Sequence, residues 1–277
     1  MIVVNQEKCT NCGLCAKICH ESCIRIIDKA VTIDDSLCST CTQCVAICPQ
    51  RALSWDGVLP SAYERERMPS TEQLAELFKE RRSVRFFQKQ AISRETLQEV
   101  VRFAADSPTN NYHLRLIVVD GRDAIELIDQ AVLRYVRRIY AVIYRPRPVY
   151  AMLKGMLNQR GAGDKVKVKI EQGLASHGHS IHENTAAIVF VVGDARVPLS
   201  IDSAQHALSN VIYYAQAQGI GSCLWGNGRI FLNGNRAVRK KLGLRKHEKI
   251  LGSLLLGYPS VKFSNKVEGK TMPLVFV

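Results

Sequence analysis

Residues 9–19 read Cys-Thr-Asn-Cys-Gly-Leu-Cys-Ala-Lys-Ile-Cys, and residues 38–48 read Cys-Ser-Thr-Cys-Thr-Gln-Cys-Val-Ala-Ile-Cys. Both stretches have the spacing C-x2-C-x2-C-x3-C, and every cysteine of the first recurs 29 positions later in the second. A repeat at one constant offset predicts two copies of a single small structural unit. Nine of the ten cysteines lie between Cys9 and Cys48, so the thiols of the chain are concentrated in this unit.

The cysteine runs predict iron–sulfur clusters rather than zinc, because zinc sites favour two separated pairs of ligands. A run of four with this spacing is the signature of [4Fe–4S] binding, and in two-cluster ferredoxins the fourth cysteine of each run serves the other cluster. The predicted ligand sets are Cys9, Cys12, Cys15 and Cys48 for one cluster, and Cys38, Cys41, Cys44 and Cys19 for the other.

Cys23 also follows Cys19 at ligand spacing, but the repeat maps it onto Ala52, so a small buried residue is the preferred interpretation. Residues 1–58 resemble bacterial 2[4Fe–4S] ferredoxins. The second run ends Cys-Pro at Pro49 as in that family, whereas His20 takes the place of the proline after the first run.

The length and composition fit a cytoplasmic protein of two domains. A chain of 277 residues accommodates one small domain and one of near 200 residues. No apolar run approaches 18 residues, so we predict no membrane span. The first residues lack the basic and apolar regions of a signal peptide, which argues against export and against a disulfide framework.

Residues 59–70 have two prolines and no apolar period, which is typical of a linker. Residues 71–277 are predicted to form one mixed α and β domain. Helices are expected after Ser70 and Ser93 and from about Asp202 to Gln218, and strands at 114–119, 186–192 and 250–256.

Positive charge is concentrated in the second domain. The net charge is +13, yet residues 1–58 carry five Lys/Arg and six Asp/Glu. Residues 134–169 hold ten Lys/Arg and one acid, and we interpret them as an insertion between strands. This basic segment fits a solvated surface, a docking site for an acidic electron donor or an anionic substrate, or a nucleic-acid contact. We predict no nucleic-acid partner, because no recognition module is present.

Arg81-Arg82-Ser83-Val84-Arg85 offers three guanidiniums and a hydroxyl within five residues. Such a group can bind a phosphate dianion through charge-assisted hydrogen bonds. The alternative is a basic helix end that complements the helix dipole.

Four motifs in order are similar to those of the FMN-dependent nitroreductase family. They are Arg81-Arg-Ser-Val-Arg85, Ser107-Pro-Thr-Asn110, Gly219-Ile-Gly-Ser-Cys-Leu-Trp-Gly226 and Leu256-Gly-Tyr-Pro259. The resemblance covers about residues 70–277. It implies an α+β sandwich and a domain-intertwined homodimer with FMN at the subunit interface.

The resemblance also implies which residues contact FMN. Phosphate and ribityl contacts would come from Arg81, Arg82, Ser83 and Arg85. The loop reaching the flavin from the partner subunit would contain Ser107, Pro108, Thr109 and Asn110. The stretch beside the isoalloxazine ring would be Cys223, Leu224, Trp225 and Gly226. Lys270, or alternatively Lys266, would complete the phosphate site.

Catalytic side chains are not identified by the sequence, because the chemistry would take place at FMN. Cys223 is interpreted as a small residue beside the flavin rather than as a nucleophile. His177 and His179, with His182, are weak candidates for proton donors, and polar loop histidines are the alternative. A metal site at these histidines is not expected, because we expect no acid other than Glu183 near them.

Together these features predict an FMN-dependent reductase in which two [4Fe–4S] clusters relay single electrons to FMN. The donor would be a ferredoxin or another redox enzyme, and the acceptor a nitro compound, a quinone or an activated double bond. One alternative is an NAD(P)H-oxidising flavoprotein that passes electrons outward through the clusters. Another is a non-enzymatic electron carrier or redox sensor.

Overall fold

The two cysteine runs fold in the same way. The computed structural model describes residues 1–108, 113–176, 179–268 and 271–276. Helix α1 (Leu14–Ile18) and helix α2 (Gln43–Ile47) lie 29 residues apart, as the repeat predicts. The residue before each helix is left-handed, with φ of 77° at Gly13 and 60° at Thr42. This tight turn carries the chain from the cysteine loop into the helix in both copies.

Four short strands join the two copies. They are β1 (Ile2–Val4), β2 (Ile24–Ile27), β3 (Ala30–Ile33) and β4 (Leu53–Trp55). Strand β1 pairs antiparallel with β4, and β2 pairs antiparallel with β3. By the 29-residue offset β1 corresponds to β3, and β2 to β4. Each two-stranded sheet therefore takes one strand from each copy, so neither copy can complete its strand pairing alone.

The chain divides into two compact units, the first comprising Met1–Thr71 and the second most residues from Glu72 onward. The elements of the second unit are α3 (Thr71–Glu80), α4 (Arg94–Arg102), β5 (Arg115–Val119), α5 (Arg122–Ile139), α6 (Arg147–Gln159), α7 (Asp164–Ser176), β6 (Ala187–Asp194), α8 (Ser200–Ala217), β7 (Gly221–Leu224), α9 (Gly226–Phe231), α10 (Arg236–Lys241) and β8 (Glu248–Gly257). None of the helices in the described part of the chain has the length and apolarity needed to cross a bilayer.

A four-stranded antiparallel sheet in the order β5-β6-β8-β7 forms the centre of the second unit. Strand β6 is buried on both faces. Its residues Ile188, Phe190 and Val192 belong to one apolar cluster, and Ala187, Val189 and Val191 belong to another. The first cluster includes side chains of α5, and the second includes side chains of α4 and α8. Helices thus cover both faces of the sheet, as in an α+β sandwich.

The helix boundaries follow local sequence signals. Ser93 caps α4, since its Oγ accepts a hydrogen bond from the Thr96 N–H at 3.1 Å. Helix α8 ends at Ala217, and Gly219 follows with φ of 73°. These observations confirm the predicted helices after Ser93 and near 202–218.

The basic segment 134–169 is largely helical, which the sequence did not predict. Helix α5 ends at Ile139, a π-helical turn spans Tyr140–Tyr144, and α6 and α7 follow. Pro146 is the residue before α6, and Pro148 lies in its first turn, where a missing N–H costs nothing. The segment Arg145–Pro148 is therefore a helix boundary.

A bidentate ion pair links β5 to β8. Arg115 Nε lies 2.8 Å from Glu248 Oε1, and Arg115 Nη2 lies 2.7 Å from Glu248 Oε2. This pairing, followed by the Arg245 backbone N–H, lowers the pKa of Glu248 to about 2 despite its burial. The carboxylate therefore stabilises the fold above its unfolded pKa of about 4.3, and this contribution is lost as the pH falls towards 2.

We expect Glu248→Gln to reduce the free energy of unfolding by about 2 kcal/mol at pH 7, because hydrogen bonds to charged groups contribute ~1.5–3 kcal/mol. The difference in free energy of unfolding between the variant and the unsubstituted protein should be smaller at pH 3 than at pH 7. Urea unfolding at these two pH values measures the difference. The exposed Glu66→Gln serves as the control, and an equal loss in both variants would contradict a specific role for the ion pair.

Candidate functional site

Four predicted ligand thiols surround one small cavity in the first unit. Cys19, Cys38, Cys41 and Cys44 line it together with Cys23, and its volume is about 20 Å³. Three of these thiols come from the second run, and Cys19 is the fourth cysteine of the first run. This grouping fits a cubane cluster with the crossed ligand set, while the role of each cysteine stays a prediction.

Burial disfavours the thiolate form of two predicted ligands, Cys15 of α1 and Cys44 of α2. Burial, then the neighbouring Cys41, Cys38 and Cys15, raises the pKa of Cys44 to about 11, and burial also raises the pKa of Cys15. Bound iron would supply the positive charge that favours ionised sulfur. Backbone donors already face two sulfurs, with N···S distances of 3.4 Å from Thr40 to Cys38 and 3.3 Å from Ala52 to Cys48.

In the second unit, the arginine-rich segment 81–85 is held against the edge strand β7. The Val84 N–H donates to the Ser222 carbonyl at 2.9 Å, and Ser83 forms a parallel bridge with Ser222. The two segments approach closely at Gly221, where an added Cβ would lie 2.9 Å from the Val84 side chain. Any larger residue at position 221 would therefore displace the arginine-rich segment 81–85.

The charges of two guanidiniums of this segment act on the thiol of Cys223. Burial raises the pKa of Cys223, while the charges of Arg85 and Arg81 oppose that rise. Among the residues that the structure describes, neither Arg81 nor Arg85 pairs with a carboxylate. Arg82 instead donates to the carbonyls of Lys79 and Arg81 at 2.6 and 2.9 Å, which places its guanidinium at the end of α3.

The stretch from Cys223 to Gly226 runs from β7 into α9. Cys223 is buried, so a neutral thiol that packs against the core is favoured over a nucleophile. Leu224 is 54% exposed. Trp225 is buried, and its Nε1–H donates to the Ser180 carbonyl at 3.3 Å. The stretch thus alternates a buried, an exposed and a buried side chain.

The other residues predicted to contact FMN differ in their burial and in their hydrogen bonds. Ser107 is buried and its Oγ donates to the Ala104 carbonyl at 2.7 Å, while Pro108 is exposed. Lys266 pairs with Glu76 of α3 at 2.7 Å, so its ammonium is already engaged. Thr109, Asn110, His177 and Lys270 lie outside the described residues.

Comparison with known families accounts for both units. A family model described as Nitroreductase family matches residues 78–258. The chain belongs to the nitroreductase family. A second model, described as 4Fe-4S dicluster domain, matches residues 1–66. The predicted fusion of a ferredoxin-like domain to a nitroreductase domain is confirmed, while the boundaries at residues 58 and 70 stay predictions.

Solved structures agree on the fold of the nitroreductase domain. A nitroreductase with bound FMN from Bacteroides fragilis is 18% identical, with a TM-score of 0.56 over 74% of this chain and 100% of that chain. A nitroreductase with bound FMN from Desulfitobacterium hafniense is 20% identical, with a TM-score of 0.55 over 73% of this chain and 97% of that chain. The predicted α+β fold is confirmed.

A curated relative matches only a short part of the chain. It is one of the subunits of an ion-translocating oxidoreductase complex from Methanosarcina acetivorans, and it is 42% identical over 45 residues, which is 16% of this chain and 17% of that protein. The chain thus spans less than a fifth of the length of that relative.

The nitroreductase domain contains a buried carboxylate that the sequence pattern did not reveal. Asp129 of α5 is 2% exposed, and its Oδ1 accepts from the Ser180 N–H, the Ser180 hydroxyl and the Ile181 N–H at 2.7, 2.7 and 2.9 Å. Its Oδ2 lies 2.8 Å from His179 Nδ1. A cavity of about 400 Å³ adjoins this group and is also lined by His182. Asp129 therefore fixes the loop that precedes β6.

The expectation that Glu183 is the one acid near the histidines was wrong. Helix α5 brings Glu126 and Asp129 to His179, with one potential ligand atom of each within 4.8 Å of the others. The sequence could not show this, because α5 and the loop are some 50 positions apart. Since Oδ1 of Asp129 already accepts three hydrogen bonds and Oδ2 a fourth, we assign the group as a loop anchor rather than a metal site.

His182, rather than the candidate His179, is influenced by the charge of segment 81–85. It is half-buried, and burial, followed by the charge of Arg85, lowers its pKa. Both effects favour the neutral form of the imidazole. Of the three histidines, His182 is the nearest in sequence to the buried strand β6, and this position is the signal that would have favoured it over the other two.

Proposed function

We propose that this chain is an FMN-dependent reductase in which two [4Fe–4S] clusters relay single electrons to FMN. Reduced FMN would then reduce a small organic acceptor such as a nitro compound, a quinone or an activated double bond. The observation that carries the proposal is the presence of a 4Fe-4S dicluster domain and a nitroreductase domain in one chain. The thiol-lined cavity supports the first half of the proposal.

Binding of FMN is supported by the charges at the edge of the sheet. Arg81 and Arg85 have no carboxylate partner among the described residues, which leaves them able to bind the phosphate of the cofactor. The solved nitroreductases from Bacteroides fragilis and Desulfitobacterium hafniense contain FMN. We also propose that the chain forms a homodimer in which residues 107–110 reach the flavin of the partner subunit.

The protein would contribute position and charge, and the cofactors would contribute the redox chemistry. Clusters exchange single electrons, whereas a flavin accepts electrons singly and can deliver them in pairs. In this proposal Arg81, Ser83 and Arg85 hold the phosphate, and β7 fixes them through Ser222. Cys223 to Gly226 then form the wall beside the ring.

The proposal is tested on full chain purified under anaerobic conditions. We expect about eight irons and about eight acid-labile sulfides per chain for two clusters, with one yellow chromophore identified as FMN. Stoichiometric zinc with little sulfide and no flavin would refute it. Mixing the oxidised protein with NADH then identifies the donor, since flavin bleaching would favour NAD(P)H and a persistent yellow colour a protein donor.

Replacing Arg81 or Arg85 with alanine should weaken FMN binding by about tenfold to hundredfold, because each charge-assisted hydrogen bond contributes ~1.5–3 kcal/mol. The dissociation constant is measured by flavin fluorescence during titration of apoprotein. Arg94→Ala is the matched control, since Arg94 is an exposed arginine that pairs with Asp120. Equal weakening in the control would show that the effect is only one of net charge.

A further inference from the structure

Cys23 is the one cysteine of the ferredoxin-like domain that belongs to neither predicted ligand set. Its side chain is 3% exposed, and its Sγ lies 3.4 Å from the Sγ of Cys19. It lines the same cavity as the other three predicted ligands of that cluster, Cys38, Cys41 and Cys44. A buried thiol therefore contacts one predicted ligand directly and shares a cavity with the other three.

The 29-residue repeat supplies an internal comparison for this thiol. The equivalent of Cys23 is Ala52, which is 1% exposed. In the second copy the Ala52 N–H donates to the sulfur of Cys48 at 3.3 Å, and in the first copy the sulfur of Cys23 lies 3.4 Å from the sulfur of Cys19. A side-chain S–H beside the fourth cysteine of the run is thus present in only one copy.

The chemistry favours a donor over a fifth ligand. Cys19, Cys38, Cys41 and Cys44 already supply the four thiolates that one cluster needs. A further thiolate buried against them would be an additional anion among anions, so the neutral thiol is retained. Its S–H is a weak donor, and ionised sulfur is the acceptor within reach.

We propose that the Cys23 thiol donates a hydrogen bond to the Cys19 thiolate, which gives that cluster a higher reduction potential than the other. Reduction adds one electron and neither forms nor breaks a bond, so the donor acts by stabilising the more negative reduced state. Hydrogen bonds to the sulfurs are among the factors that set cluster potentials. The two clusters would then be inequivalent, and electrons would reside preferentially on the one beside Cys23.

The inference rests on the two clusters of the proposed function, and its test uses the full chain with Cys23→Ala, Cys23→Ser and Ala52→Cys. Redox titration followed by electron paramagnetic resonance gives the potential of each cluster. For Cys23→Ala we expect the reduced-to-oxidised ratio of the higher-potential cluster, at a fixed potential, to fall about threefold to tenfold, where tenfold is ~59 mV for one electron. The other cluster should be unchanged.

The remaining variants separate a hydrogen bond from a packing effect. Cys23→Ser retains a donor, so its ratio should stay within about twofold of the unsubstituted protein. Ala52→Cys should raise the reduction potential of the other cluster, the one predicted at Cys9, Cys12, Cys15 and Cys48. Cys23→Ala should instead lower the potential of its own cluster. If Ala52→Cys does not fold, the alanine and serine variants at position 23 decide the question by themselves.

Two results would overturn the inference. One is a Cys23→Ala variant with unchanged potentials and full iron and sulfide content. The other is a Cys23→Ala variant that loses half of its iron, because Cys23 would then be a ligand. An unsubstituted protein without two clusters would instead refute the proposed function, so the iron and sulfide analysis distinguishes the two failures.

Discussion

Cys41→Ala should greatly slow the delivery of electrons from a protein donor to FMN while the flavin stays bound. Cys41 lines the thiol cavity with Cys19, Cys38 and Cys44, and a cubane that loses one of four thiolates is destabilised. The predicted phosphate contacts Arg81, Ser83 and Arg85 lie in the other unit, in the region matched by the nitroreductase family. We expect flavin reduction by a reduced ferredoxin to slow on the order of 100-fold, because loss of a group that only orients a metal ligand already costs about 10–100-fold.

The control variant is Ser39→Ala, since Ser39 lines the same cavity but offers no thiolate. Dithionite, which can reduce the flavin directly, should reduce FMN at the same rate in the unsubstituted protein, Cys41→Ala and Ser39→Ala. A Cys41→Ala protein with reduced iron content and an unchanged ferredoxin-linked rate would refute the relay. If NADH proves to be the donor, the same variant should keep NADH-dependent bleaching and lose electron transfer to an external acceptor.

The ferredoxin-like domain was predictable because its information is local and repeated. A tight turn, a short helix and a fixed cysteine spacing recur after 29 residues, and the structure repeats with them at α1 and α2. What the repeat could not specify is the pairing of strands across copies, because β1–β4 and β2–β3 depend on contacts between distant segments.

In the nitroreductase domain, long apolar runs were predictable and short or context-dependent elements were not. Strand β6 is buried on both faces, so its sequence is continuously apolar and its type was readily assigned. Strand β7 has four residues, and its conformation is imposed by β8 on one side and by Val84 on the other. Helices α6 and α7 were obscured by basic residues and by two prolines, Pro146 and Pro148, at the start of α6.

The candidate site likewise contains residues that the sequence revealed and one that it did not. Arg81, Ser83 and Arg85 were found because they are consecutive in sequence, and the structure holds them together at β7. Asp129 was missed because a lone acid on an amphipathic helix is ordinarily a solvated residue. Its importance arises only when the loop at Ser180 folds back onto α5.

That dependence leads to the largest expected loss of stability. Asp129→Ala removes the acceptor of the Ser180 and Ile181 backbone N–H groups and of the Ser180 hydroxyl. An unsatisfied buried donor costs about 1–3 kcal/mol, so we expect the free energy of unfolding of this domain to fall by about 3–5 kcal/mol. Asp129→Asn keeps an oxygen for these donors and should lose only about 1–2 kcal/mol.

Trp225 provides the measurement, because its indole N–H donates to the carbonyl of Ser180 in the anchored loop. In a Trp55→Phe background it is the sole tryptophan, so its fluorescence during urea unfolding reports on this domain. Glu126→Ala is the matched control, one turn earlier on α5 and exposed. A large loss in both variants would favour a metal shared by Glu126, Asp129 and His179, whereas a loss confined to position 129 supports a hydrogen-bonded anchor.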